Sequence, residues 1–103
     1  MYPSTRDVAR SFTTPRGECR IRYPRDGVMH TWVRGHMCVE VARVIVEAGN
    51  VVMDRHGRMT AFHEWDHVDS YDSVARKLLT EWGSARASQV DKAHILFRSR
   101  LVA

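Results

Sequence analysis

Long hydrophobic runs are missing from this 103-residue sequence. No apolar stretch approaches the roughly 20 residues that a helix needs to cross a bilayer, so a helical membrane span is excluded. Cysteine is scarce: Cys19 and Cys38 stand alone and form no CxxC pair. Free thiols in a reducing compartment are the simplest reading, although spacing alone does not decide against a disulfide. Runs of one charge are missing too. Sixteen Lys and Arg face twelve Asp and Glu, for a formal net charge of +4. The basic residues are dispersed among acidic ones, which gives no continuous track for a nucleic-acid backbone. Residues 1–10 carry charges and no apolar h-region, so they do not read as a secretory signal, and a cytoplasmic protein is expected. Without internal repeats, the length fits one domain with one core.

What is present begins with a polar stretch. Residues 1–17 are rich in Ser, Thr, Arg and Pro. They show no sustained hydrophobic period and read as a flexible N-terminal arm. A single α/β domain is expected over 18–103. Cys19, Ile21 and Tyr23 alternate with Arg20 and Arg22, the period of a half-buried strand. Pro24-Arg25-Asp26-Gly27 is turn chemistry, because Pro fixes φ and Gly accepts φ > 0. A second strand over 28–34 completes an antiparallel hairpin.

From residue 37 to 55 the period lengthens. Val41, Ile45, Ala48 and Val52 recur on one helical face, and Gly57 sits where a helix C′ residue belongs. The β-branched run 41–46 leaves a strand as the alternative there. A third strand is expected over 59–65, then a turn over 66–70. A second helix follows, capped by Asp69 or Ser70, with Asp72 in its first turn. Its buried stripe is read as Tyr71, Val74, Leu78 and Trp82, and Gly83 as its stop. A fourth strand over 93–97 gives the order β-β-α-β-α-β. The strand–helix–strand units imply parallel pairing by right-handed crossovers, with helices packed on one face of a mixed sheet.

Several segments carry a family likeness. Phe62-His63-Glu64-Trp65, Tyr71-Asp72-Ser73, Ala75-Arg76, Leu78-Leu79-Thr80-Glu81-Trp82 and the stretch from His94 to Ala103 together resemble the bacterial STAS group. That group includes the sporulation anti-sigma-factor antagonists and is similar to Sec14-like lipid-binding domains. The likeness covers residues 18–103. It implies a non-enzymatic regulatory domain that binds a protein partner, such as a regulatory kinase or a sigma-factor regulator, and needs no cofactor. It also implies a phosphorylated serine at the start of the second helix, where Asp72-Ser73 stands. Val74 occupies the position at which the family has Gly. The family fold continues with another helix and strand, so the domain reads as truncated at its C-terminus. An uncovered sheet edge would favour a homodimer.

The resemblance and the cap chemistry direct attention to Asp69, Ser70, Tyr71, Asp72, Ser73 and Arg76 as a binding or regulatory surface. Trp65, at the carboxyl end of a parallel strand, is a candidate for a ligand mouth. The simpler account of these residues is a capped helix start and a core aromatic. Two alternative functions remain. One is binding of a small apolar ligand or lipid beneath the second helix, as the Sec14-like likeness implies. The other is a zinc-dependent hydrolase, because His63-Glu64-Trp65-Asp66-His67 matches H-E-x-x-H, with Glu81 or His94 as the third ligand. That chemistry needs a helix, on which residues i and i+4 share a face. In the expected strand, His63 and His67 do not converge.

Overall fold

The computed structural model describes residues 8–97. The architecture is α/β, with five strands and two helices in the order β-β-β-α-β-α-β. The strands are β1 (Arg10–Thr14), β2 (Gly17–Arg22), β3 (Val28–Met37), β4 (Met59–Tyr71) and β5 (Val90–Leu96). The helices are α1 (Val39–His56) and α2 (Ser73–Ala85). Spatial order follows chain order across the sheet, so β1 and β5 are its edges. β1–β2 and β2–β3 pair antiparallel, while β3–β4 and β4–β5 pair parallel, each across one helix.

The expected hairpin forms around the Pro24–Gly27 turn. Val28 N–H donates to the Arg25 carbonyl at 3.1 Å, and Gly27 adopts φ 75°. Cys19 and Ile21 point inward and are fully buried. The helix expected over 37–55 also forms, which settles the strand alternative for 41–46. Val41, Ala42, Ile45, Ala48, Val52 and Met53 make its buried face. Gly57 closes it in the left-handed region at φ 78°, donating its N–H to the Met53 carbonyl at 2.8 Å, as a C′ glycine does.

The structure corrects the expected element order at the N-terminus. Residues 10–14 are a strand rather than part of an arm. Their alternation escapes a hydrophobicity reading because only Phe12 is large and apolar, yet Phe12 packs on the core and pairs with Cys19. Residues 1–7 of the expected arm lie outside the described residues, as do 98–103.

A second correction concerns the expected turn at 66–70. β4 runs straight through it to Tyr71, because β3 continues to Met37 and offers partners along that whole length. The two strands are not matched residue for residue. Trp32 and Arg34 pair with Glu64 and His67, and Gly35 and His36 pair with Val68 and Ser70. β4 therefore takes up one extra residue between Glu64 and His67 and another between Val68 and Ser70. Each β-bulge re-aims the side chains beyond it.

The second helix also departs from expectation. Its buried face is Ala75, with Leu78, Leu79 and Trp82 partly covered. Tyr71 and Val74 are exposed. Gly83 does not stop the helix, which reaches Ala85. An exposed glycine costs about 1 kcal/mol relative to Ala inside a helix, too little to end one alone.

Both helices lie on one face of the sheet and touch each other where Gly49 of α1 admits the Trp82 ring. A Cβ at Gly49 would lie 2.5 and 2.6 Å from two ring carbons. Gly49→Ala should therefore push α2 away from α1. The expected loss is about 1–3 kcal/mol, read as a lower urea midpoint, with a red shift in tryptophan emission as Trp82 becomes wetter.

Candidate functional site

Three features are built along β3 and β4. The first is a polar cluster anchored by His36. Its Nδ1 lies 2.8 Å from Ser70 Oγ and its Nε2 lies 2.9 Å from Asp72 Oδ1. Ser70 Oγ also donates to Asp69 Oδ1 at 3.0 Å. His36 is buried, whereas Asp72 is half exposed. Asp72 is the N-cap residue of α2, but its carboxylate makes no cap bond to the helix. His36 has drawn it sideways. Neither Asp69 nor Ser70 caps the helix, so the expected cap is corrected to Asp72 by position alone. Ser73, the first residue of α2, is exposed, and Tyr71, Val74 and Arg76 are exposed around it.

The second feature is buried. Thr31 on β3 pairs with His63 on β4. Thr31 Oγ1 accepts from Trp65 Nε1 at 3.0 Å and lies 2.7 Å from His63 Nδ1. Thr31 has no exposure, so its single hydroxyl proton needs an acceptor, and the His63 Nδ1 lone pair is the one in reach. We assign the proton of His63 to Nε2 on that ground. The His63 and Trp65 rings lie 4.6 Å apart. Burial pushes the His63 pKa down to about 4, with the nearby His30 adding to the effect.

The third feature is a cavity of about 840 Å³ between α2 and the helix-facing side of β4 and β5. Met37, Met53, Met59, Leu79, Trp82 and Ile95 form most of its apolar wall, and His63 and Trp65 are set into it. At one end lie Asp69, Ser70, Tyr71 and Arg76. Arg86 also lines the cavity and donates to Asn50 Oδ1 at 2.7 Å, Asp54 Oδ1 at 2.9 Å and Gln89 Oε1 at 2.9 Å. Trp82 Nε1 donates to the same Asn50 oxygen at 2.9 Å.

The expected surface residues Asp69, Ser70, Tyr71, Asp72, Ser73 and Arg76 are thus brought together. Trp65 is set apart from them, buried in the cavity wall with its N–H spent on Thr31. His36 and Thr31, which organise the two polar clusters, were not singled out from sequence. Their signal is pairing across β3 and β4, which single-strand patterning does not carry.

The letters of the zinc motif do not converge. His63 faces the helices beside Thr31. Glu64 faces the opposite side, where its Oε1 lies 2.9 Å from His30 Nε2. His67, beyond the first bulge, is half exposed and tilts against Trp32 at 6.5 Å between ring centroids. An ion held by His63 would have the sheet between it and His67. Among the described residues, no group of three or more His, Cys, Asp and Glu side chains is disposed to hold a metal. Cys19 and Cys38 are free thiols, and burial raises the Cys19 pKa to about 12.

No family model matches the sequence, and no curated protein matches it. Among solved structures, that of Mglu is similar over 78% of this chain, with a TM-score of 0.61 at 20% identity. The likeness spans 19% of the Mglu chain and speaks to the fold. No helix among the described residues is long and apolar enough to cross a membrane.

His63 should make folding stability depend on pH. Its folded pKa lies near 4 against an ordinary value of 6.5, so the unfolded chain binds the extra proton first. The stabilisation is complete above pH 6.5 and is lost as pH falls towards 4, by about 3 kcal/mol at most. Urea unfolding between these limits should show stability rising with pH, and His63→Phe should flatten that rise.

Proposed function

We propose that this chain is a STAS-like binding domain rather than an enzyme, and that it holds a small apolar ligand between α2 and the sheet. The cavity carries this reading. Its volume falls in the roughly 300–1,000 Å³ range of small-molecule sites, and its wall is mainly apolar with a few polar groups. A hairpin leading into a βαβαβ unit, with both helices on one face, agrees with what the resemblance implied. A reducing, cytoplasmic setting agrees with the two free thiols.

The reading predicts that an uncharged probe such as N-phenyl-naphthylamine binds saturably at one site per chain. Ala93 lines the cavity from β5 and is exposed, so Ala93→Trp should fill the space without disturbing the core. Probe affinity should drop at least tenfold while the urea midpoint stays within error. Binding that never saturates, or that is indifferent to Ala93→Trp, would sink the reading.

A second reading has its own support. The carboxylate of Asp72 is held by His36, leaving the first turn of α2 without a side-chain cap. Ser73, Tyr71 and Arg76 stand exposed beside it. A protein partner, such as a kinase or another regulator, has an accessible serine there. Phosphate on Ser73 would gain from the free N–H groups of the helix start and be opposed by Asp69 and Asp72. Mass spectrometry of the protein purified from its own cells should find phosphate on Ser73 or Ser70. Consistently unmodified serines would count against regulation by phosphorylation.

A homodimer belongs with either reading. Among the described residues β5 is an edge strand, with Ile95 and Leu96 exposed on it and Phe62 and Phe97 exposed beside it, the kind of edge that pairs with another copy. Sedimentation should show reversible association in the micromolar range. A strict monomer at high concentration would remove the dimer.

A further inference from the structure

We propose that the cavity selects an uncharged apolar ligand that carries a carbonyl oxygen, and that the Nε2–H of His63 is the group that recognises it. This rests on the ligand-binding reading and adds a specificity to it.

Hydrogen-bond accounting comes first. Thr31 Oγ1 accepts from the Trp65 N–H and, in the tautomer assigned above, its hydroxyl donates to His63 Nδ1, which leaves Nε2–H as the unspent donor of that ring. His63 is 7% exposed and lines the cavity, and its Nε2 has no hydrogen-bond partner among the described residues. Asp69, Ser70 and Thr80 also line the cavity, and none of them bonds to it. Ala61, Ala93, Ile95, Met59 and Leu79 are apolar, and the indole N–H of Trp65 is already used. Nε2 keeps access to the cavity, where water can satisfy it. A ligand that displaces that water must bring an acceptor, because a donor left unpaired in a dry site is costly. A ligand oxygen delivered to this point removes that cost, whereas a pure hydrocarbon does not.

The charge state narrows the class. Held neutral by burial, the imidazole donates a hydrogen bond but offers no positive charge. An anionic group brought to the same depth would lose its hydration with no counter-ion beside it. Arg76 lies at the mouth, and Asp69 of opposite sign lines the same end, so the entrance gives an anion little net attraction. A ketone, ester or amide oxygen fits: it accepts one hydrogen bond, carries no charge, and leaves the rest of the molecule to the methionines, Leu79 and Trp82. The Thr31 bond orients the ring, so the donor is fixed before a ligand arrives and little ordering is needed on binding.

The experiment compares two probes of matched shape, a methyl naphthyl ketone and the ethylnaphthalene with the same substitution. Each is titrated against the full chain and against His63→Phe. Comparing the ratio of ketone to hydrocarbon affinity between the two proteins cancels the difference in the probes' transfer from water. That ratio should fall about three- to tenfold in His63→Phe, the value of one net hydrogen bond, while ethylnaphthalene binding is retained. In the unmutated protein, the ketone and not the hydrocarbon should move the Nε2 nitrogen chemical shift of His63. This second measurement stands even if His63→Phe folds poorly.

An unchanged ratio, or equal shifts with both probes, overturns the proposal while leaving apolar ligand binding intact. Failure of both probes to bind overturns ligand binding itself. Cross-relaxation from Leu101 or Val102 to the His63 ring in the ligand-free protein would assign the cavity to the chain's own last residues and overturn both.

Discussion

The parallel pairing of β3 with β4 governs the rest of the molecule, because two extra residues on β4 decide which face each later side chain meets. Side chains alternate along a strand with period two, so one unmatched residue exchanges inside for outside. Up to Glu64 the odd-numbered residues of β4 face the helices: Met59, Ala61 and His63 are buried. Trp65 still faces inward, but beyond the first bulge it is Val68 that is buried and His67 that is exposed. The second bulge sets Ser70 opposite His36. A ladder without bulges would have kept the odd residues inward, which would bury His67 and Asp69 beneath α2 and turn Val68 to solvent.

The two polar clusters follow from this pairing, and they do different work. Thr31 and His63 are direct neighbours across the sheet, deep enough that their hydrogen bonds must be complete within the protein. His36 and Ser70 are also direct neighbours, but at the strand ends, where Asp69 of β4 and Asp72 at the start of α2 reach them. The inner pair holds a neutral ring against the cavity. The outer group ties the β4–α2 junction to β3, reinforced by the Asp72 N–H donating to the Met37 carbonyl at 3.0 Å. One strand pairing thereby fixes both the wall of the cavity and the exposed surface at its mouth.

Legibility in the sequence follows the range of the interactions. The hairpin was readable because its turn residues and its alternation lie within a dozen positions. The face of α1 and the glycine that ends it were readable for the same reason. β1 was not, since Phe12 is the only large apolar residue in it and the strand exists because β2 offers a partner. The extension of β4 through Asp66–Ser70 was hidden for a related reason: those residues favour turns locally, and only the continued run of β3 beside them keeps the chain extended. Of the expected stripe of α2, Leu78 and Trp82 pack on the core while Tyr71 and Val74 do not. Tyr71 precedes the helix, and Ala75 is its fully buried residue.

The apolar interior of the α2–β5 side explains why these candidate residues were visible only as a surface. Trp65 lies towards the carboxyl end of a parallel strand, a common place for a ligand mouth. It lines the cavity with its N–H committed to Thr31. The available donor is then His63, two residues earlier and on the same face, a residue whose role in a metal motif would have required it to meet His67. The physical distinction is the geometry of the backbone. On a helix, residues four apart share a side, whereas on a bulged strand these two imidazoles are divided by the sheet. The same letters therefore give one buried neutral donor facing an apolar space and one solvent-facing ring beside Trp32, and only the first is placed to recognise something entering from the α2 side.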